Sequence, residues 1–373
     1  MKTSFMRPLR ALQRRFMRRS VYSIGLQMSL EAMHLVQLRA AARGPAFLAA
    51  ASVSYGCALE EVLANPRRLR TLVKQAFSDQ PFRGRHVVAC MPSHYVKTLV
   101  VSYTLAEGES DADAIVKELR GRLDGDIDDW VFDFVPVRQA GLDSPRREAL
   151  VAVAENARVA GYLDLLAGAG LDVIAVDIGP TALTRVISRL CSTTEGNFQN
   201  LLLINFGSLS SFVTVFWGRR LMLDRPIAFA EQRLLERLRT VMDIPDAMAR
   251  RLLLERGFAH AQGAGAWDEI GAALEEVLHP EFAVLKAEVT KTLIYTASRT
   301  RGKTVDKIYL VGSVARYPGI AELLTESLSM PVEVLDPFSI FPHPWTPERK
   351  LPLHAHPSAA VATGLALRGV PAS

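Results

Sequence analysis

Between Leu201 and Pro226 the chain reads LLLINFGSLSSFVTVFWGRRLMLDRP, three short apolar segments separated by glycine-marked turns. The first segment, Leu201 to Asn205, is apolar at successive positions, the pattern of a strand covered on both faces. The next two carry Phe212, Val213 and Val215, then Leu221 and Leu223, so the stretch predicts a β-meander turning at Gly207 and Gly218. Glycine at the first turn lets backbone N–H groups crowd together, and Ser208, Ser210 and Ser211 add hydroxyls, a chemistry suited to cradling phosphate. Taken alone, the stretch reads better as an ordinary hairpin with polar turn residues, because short glycine turns are common in any β protein. The same strand, turn and strand recur in Val21 to Leu38, VYSIGLQMSLEAMHLVQL. Two such units half a chain apart predict two related lobes that offer turns to a shared cleft.

Taken in order, the pattern extends the first unit through a strand at Ala46 to Tyr55, helix from Leu59 to Phe77 interrupted at Asn65-Pro66, and a strand at His86 to Met91. Met91-Pro92-Ser93 breaks it. Strand Val96 to Leu105, helix Asp111 to Leu123 and strand Trp130 to Val137 then read as a subdomain inserted over about 92–137. The acidic run Glu107 to Asp113 reads as a solvated loop and helix N-terminus, where carboxylates complement the helix dipole, in preference to a metal site. The main lobe is expected to resume with strand Leu150 to Ala154 and helix Asn156 to Ala167. Strand Leu171 to Val176 and helix Pro180 to Leu190 follow, an alternation that implies a covered sheet. Asp177, between them, suits an N-cap better than a cleft carboxylate.

After the meander, Glu231 to Val241, Pro245 to Glu255 and Trp267 to Ser298 have helical periodicity, the last with an expected interruption near Pro280. Strand Lys307 to Val311 runs into the small-residue turn Gly312-Ser313-Val314-Ala315, which could admit a ligand closely, although turns before helices often look like this. Helix Ile320 to Leu328 and strand Val332 to Leu335 come next. Seven prolines between Pro331 and Pro357 mark an irregular loop that holds His343, His354 and His356, for which a metal site lacks further ligands. Ser358 to Leu367, SAAVATGLAL, reads as a small-residue helix able to pack tightly on a sheet of the first lobe.

With 373 residues, 49% of them hydrophobic, the chain has ample material for a buried core. No apolar run approaches the roughly 18 residues that span a bilayer, and no signal peptide is apparent, so the chain is expected in the cytoplasm. Three widely spaced cysteines, Cys57, Cys90 and Cys191, fit neither a disulfide framework nor a zinc site. The net charge of +5 hides an asymmetry: Lys2, Arg7, Arg10, Arg14, Arg15, Arg18 and Arg19 give the first twenty residues +7, leaving −2 elsewhere. Phe5, Leu9, Leu12 and Phe16 recur at helical spacing, which predicts one apolar stripe opposite Arg7, Arg10, Arg14 and Arg18. Such a leader over residues 1–19 suits an anionic membrane surface, with a disordered basic tail as the competing reading. No second basic cluster or aromatic interleaving supports nucleic-acid binding, and none is expected.

Three turns from two duplicated lobes, an insertion in the first lobe and a final small-residue helix together resemble the actin-like ATPase superfold, an α/β, ribonuclease H-like two-lobed fold. Within it, the chain resembles the PilM family of type IV pilus assembly proteins. The resemblance is most specific in IYLVG (Ile308–Gly312) through PGIAELL (Pro318–Leu324). PVEVLDPF (Pro331–Phe338) and AVATGLALR (Ala360–Arg368) add to it. It implies a first lobe over 21–190, a second over 195–340, and a segment 341–373 returning to the first. The family's first phosphate turn carries Asp, Gly and a downstream Lys, where this chain has Gln27, Ser29 and His34. In the second turn the expected Asp is Asn205, while Gly207 and Ser208 remain. The adenosine-side pair is Gly312-Ser313, and a later glycine pair is replaced by Phe229-Ala230.

Hydrolysis in this superfold needs carboxylates that hold hydrated magnesium and orient water. Gln27 and Asn205 offer neutral amides that cannot hold a hard cation well or act as a base near neutral pH. The resemblance therefore implies a degenerate cleft in which ATP and magnesium bind weakly or not at all, without turnover. It also implies a scaffold of a pilus machine, peripheral at the inner membrane, that binds the cytoplasmic tail of a PilN-like membrane protein. The alternatives are a working ATPase with unusual residues, the cytoplasmic part of a type II secretion L subunit, and a cell-division actin homologue.

Overall fold

A computed structural model describes residues 21–42, 44–137, 146–193, 200–218, 220–258, 266–341 and 353–370. The basic leader and His343 lie outside the described residues, as does the side chain of His354. The first lobe begins with strands β1 (Val21–Met28), β2 (Ala32–Ala41) and β3 (Gly44–Ser54), helices α1 (Leu59–Leu63) and α2 (Pro66–Asp79), and strand β4 (His86–Cys90). The insertion contains β5 (Lys97–Thr104), α3 (Asp111–Leu119), β6 (Trp130–Val137) and β7 (Arg146–Glu155). Helix α4 (Asn156–Gly168), strand β8 (Asp172–Asp177) and helix α5 (Gly179–Thr193) complete the lobe.

The second lobe opens with the meander β9 (Leu201–Phe206), β10 (Ser211–Trp217) and β11 (Arg220–Ile227). Helices α6 (Glu231–Met242), α7 (Asp246–Glu255) and α8 (Ala266–Arg299) precede β12 (Lys307–Gly312), α9 (Ile320–Leu328) and β13 (Val332–Val334), and α10 (Ala360–Ala366) ends the fold.

The two large sheets have the same plan. Their strand orders are β3-β2-β1-β4-β8 and β11-β10-β9-β12-β13. In each, three antiparallel strands are followed by two that run parallel to the first. The strand period assigns each sheet to two cores. Leu202 and Ile204 of β9 face an outer core built with α6, α7 and α8, while Leu201 and Leu203 face a central core. In β2, Met33 and Leu35 face the first lobe's outer core and Val36 and Leu38 the central one. Helices α5 and α10 fill that central core between the sheets, so the molecule is a stack of helix, sheet, helix, sheet and helix layers.

Close backbone approach fixes α10. A Cβ on Gly25 of β1 would lie 2.0 Å from the Ala362 carbonyl oxygen, and one on Gly364 would lie 2.0 Å from the Ala182 carbonyl oxygen of α5.

Two sequence expectations change. The insertion does not end at Val137, because β7 is the central strand of its β5-β7-β6 sheet. Leu150 to Ala154 therefore belongs to the insertion and not to the resumed main lobe. The reason is that β7 is apolar on both faces: Ala149, Val151 and Val153 pack with Ala114, Ile115 and Leu119 of α3, while Leu150 points into the central core. Helix α8 runs through Pro280 without a break. Proline removes one i to i−4 bond, and Leu274, Leu278, Phe282, Leu285 and Val289 hold both halves against the second sheet. The Asn65-Pro66 interruption does occur, since Asn65 Oδ1 accepts from the N–H groups of Arg67 and Arg68 at 3.1 Å each and starts a new helix. Among the described residues, no helix is long and apolar enough to cross a membrane.

Candidate functional site: the cleft between the lobes

A cavity of about 410 Å³ lies between the lobes, where the first turns of the two sheets face one another. The β1–β2 turn brings Gln27, Ser29 and His34 to it. The β9–β10 turn brings Asn205, Gly207 and Ser208, and the end of β12 brings Gly312 and Ser313. All eight residues singled out in the sequence thus share one cavity, and the hydroxyls of Ser29 and Ser208 there are already engaged.

In the first turn, Ser29 Oγ donates to the Ala32 carbonyl at 2.9 Å, accepts from the Ala32 N–H at 3.2 Å, and lies 3.3 Å from His34 Nε2. His34 is buried, and its pKa falls from 6.5 to about 4, chiefly through burial and then through the positive field of Arg316, against a smaller opposing effect of Glu31. A neutral imidazole therefore stands at the position where the sequence resemblance implies a lysine. Gln27 Oε1 and His34 Nδ1 are buried without a hydrogen-bond partner among the described residues.

The second turn is not the open cradle that its serines suggest. The Gly207 N–H donates to Ser211 Oγ at 3.3 Å, and Ser208 Oγ donates to Glu31 across the cleft at 3.0 Å. The Gly207 and Ser208 carbonyls accept from the N–H groups of Glu231 and Gln232 at 3.1 and 2.9 Å, so the first turn of α6 is capped by the chain itself. Phe229, in place of a glycine, is buried with its ring 5.5 Å from Phe206 and 5.8 Å from Phe282.

Gly312 is glycine for an internal reason. Its φ is +89°, and a Cβ there would lie 2.0 Å from the Phe206 carbonyl oxygen. That carbonyl also accepts from the Ser313 N–H at 2.9 Å. The closest approach at this turn is therefore between β12 and β9.

Two groups of residues at the cleft escape the sequence reading. The first is a charged cluster at the cleft. Glu31 Oε1 accepts from Arg250 Nη1 at 2.7 Å, and Glu31 Oε2 lies 4.0 Å from Arg316 Nη2. Arg316 also donates to Glu231 at 3.0 Å, Arg250 lies 3.6 Å from the same carboxylate, and the Tyr317 hydroxyl donates to it. Burial works against the Arg250 charge, and Glu31 and Glu231 outweigh it, raising its pKa. Glu231 is fully buried. The sequence signal was an acid two positions after the turn serine, which the focus on small and amide residues passed over. The second is a strand pair: Asp224 Oδ1 on β11 accepts from Thr214 Oγ1 on β10 at 2.7 Å, while Oδ2 has no hydrogen-bond partner among the described residues. Burial pushes Asp224 up to about 6, against the hydrogen bond from Thr214.

This donor set does not fit hydrated magnesium. Positions 27 and 205 are amides, Glu31 is committed to arginine, and burial works against the charge of Asp224, which is already bound to Thr214. The positive charge of Arg250 and Arg316 is matched by two carboxylates of the chain.

Residues outside the cavity have structural partners. Asp177 accepts from the Ile178 N–H at 2.8 Å and from Thr181, and binds Arg185 at 2.6 Å and Arg368 at 3.1 Å, tying α5 to the C-terminal segment. His356 is buried 3.6 Å from Asp336 and edge-on to Phe338. In the insertion, Glu109 pairs with Lys117, and Asp111 accepts from Tyr103 at 2.7 Å and Arg147 at 3.1 Å, the behaviour of a capped helix start.

Comparison with known proteins agrees with this architecture. The family model described as type IV pilus assembly protein PilM matches residues 25–370. A solved structure described as a PilM–PilN type IV pilus biogenesis complex is 22% identical, covers 95% of this chain and 100% of its own, and superposes with a TM-score of 0.74. The ethanolamine utilization protein EutJ from Carboxydothermus hydrogenoformans is 13% identical over 93% of this chain and 89% of its own, with a TM-score of 0.52. Comparison with curated proteins gives no match. With its duplicated sheets, its insertion and a family match over nearly its whole length, the chain belongs to the PilM family of type IV pilus assembly proteins and has their actin-like two-lobed fold.

Proposed function

We propose that this protein is a scaffold of a type IV pilus machine that holds the cytoplasmic tail of a PilN-like membrane protein and does not turn over ATP. The observation that carries the second half is the cleft chemistry: amides at Gln27 and Asn205, and an arginine pair neutralised by Glu31 and Glu231. ATP, if it enters, acts as a weakly held filler. Family membership and the likeness to a PilM bound to PilN support the partner.

The insertion supports the place of capture. The face of its sheet opposite α3 carries Val100 and Val131, 37% and 45% exposed, beside Thr98 at the cavity. A short peptide could bury apolar anchors there and add backbone hydrogen bonds to the sheet edges β5 and β6, for an affinity of about micromolar that co-localisation at a membrane raises. The basic leader, Met1 to Arg19, supplies that co-localisation by lying on the anionic cytoplasmic face of the inner membrane.

The test is titration of a labelled tail peptide of the PilN-like protein into the full chain, with and without ATP and magnesium. Saturable binding indifferent to ATP is expected, together with no phosphate release. Binding that requires ATP overturns the filler role, and no binding overturns the scaffold.

A further inference from the structure

The cation pair at the cleft already has an anion, and that anion comes from the opposite lobe. Glu31 sits in the β1–β2 turn of the first lobe, whereas Ser208, Arg250 and Arg316, its three partners, all belong to the second. Its carboxylate takes a hydroxyl donor and two guanidinium groups, the set that would bind one phosphate group. Glu31 is 35% exposed on its side chain, so this contact lies at the rim of the cleft and can open. Behind it, Glu231 is fully buried and held by Arg316, Arg250 and Tyr317, so the arginines are aimed by a fixed second carboxylate.

We infer that Glu31 is a built-in substitute for a ligand phosphate, latching the two lobes together across the cleft. The inference rests on the proposal that the cleft no longer cycles through nucleotide states, and it supplies the physical replacement for them. In a nucleotide-dependent two-lobed protein the closed form is held by the phosphates; here one carboxylate holds it at all times. Removing that charge leaves Arg250 and Arg316 facing Glu231 with one positive unit in excess, which the half-exposed Asp246, 3.8 Å from Arg250, offsets in part from the solvent side. A small polyanion should then enter without a metal ion.

Glu31→Gln tests this in the full chain, because the amide keeps the size of the side chain. Two quantities are read: hydrogen exchange in the β1–β2 turn and α7, and calorimetric binding of inorganic pyrophosphate in the presence of a chelator. The variant should exchange severalfold faster in both segments, bind pyrophosphate at least tenfold more tightly than the unmodified protein, and recover protection when it does. The double change Glu31→Arg with Arg250→Glu should restore protection without restoring pyrophosphate binding. Unchanged exchange in Glu31→Gln overturns the latch, and pyrophosphate binding equal to that of the unmodified protein overturns the phosphate mimicry. Tail-peptide binding by the unmodified protein is scored separately, so failure of the scaffold role is distinguishable from failure of the latch.

Discussion

Asp224 and His34 face the same cavity with opposite linkage to pH. Asp224 has its pKa raised from 3.8 to about 6, mainly by burial, so the folded state holds its proton more tightly than the unfolded chain. Its favourable contribution is complete below pH 3.8 and is lost as pH rises through about 6, a loss of roughly 3 kcal/mol. His34 has its pKa lowered from 6.5 to about 4, so its contribution is complete above pH 6.5 and is lost as pH falls through about 4, by a similar amount. Between pH 4 and 6 the two slopes cancel, and only substitution exposes either. Asp224→Asn, which preserves an acceptor for Thr214, should raise stability by up to roughly 3 kcal/mol at pH 7.5 and by only about 1 kcal/mol at pH 4.5. Denaturant unfolding at the two pH values measures it, and an increment independent of pH would remove the buried-carboxylate assignment.

Single elements divide into those whose sequence specifies them locally and those that tertiary contacts decide. The meander and its first-lobe copy were legible because two-residue alternation and glycine turns are local signals, and they brought six of the eight candidate residues to one cavity, the end of β12 bringing Gly312 and Ser313. The end of the insertion was not, since a strand apolar on both faces looks the same in either sheet; only its pairing with β5 and β6 separates the possibilities. Pro280 misled for a related reason: helix propensity counts its lost hydrogen bond, whereas five buried residues along α8 outweigh it. Glu31 was illegible as a latch because its partners lie 177, 219 and 285 positions away.

Helix α10 shows the tertiary kind of constraint at its tightest, and yields a paired prediction. Gly364→Ala would place a methyl 2.0 Å from the Ala182 carbonyl oxygen, a backbone atom of α5 that cannot rotate aside, so α10 must leave its seat. The expected cost is about 3 kcal/mol or more, at the upper end of core overpacking. Gly161, exposed inside α4, has nothing within 4 Å of its missing Cβ, and its change to alanine should instead add up to about 1 kcal/mol through helix propensity. Thermal unfolding of the two variants side by side checks the contrast; a harmless Gly364→Ala would contradict the close contact.

At the scale of the whole molecule, the two lobes share a central core besides the outer core that each possesses. The central cluster takes Val36, Leu38, Phe47 and Val88 from the first sheet, Leu201, Leu203, Tyr309 and Val311 from the second, and joins them through Leu183, Val186 and Ile187 of α5. Each of those three helix residues is at most 1% exposed, so neither sheet can be stripped of α5 without exposing the other's inner face. Further links reinforce the seam: Arg299 of α8 binds Glu148 of the insertion, and Ser358 donates to the Gly312 carbonyl at 3.4 Å. Two lobes built in this way should unfold as one cooperative unit even though each has its own complete sheet and outer core. Leu183→Ala, deleting buried methyl groups at the seam, should therefore cost about 2–5 kcal/mol and lower a single calorimetric transition. Native-state hydrogen exchange discriminates: amides of β4 and β12, one from each lobe, should speed up by the same factor in the variant. Acceleration confined to β4 would mean that the lobes are stable separately and that α5 serves only the first, in which case the cleft is a joint between independent bodies and a charge at its rim, such as Glu31, would govern all of its closure.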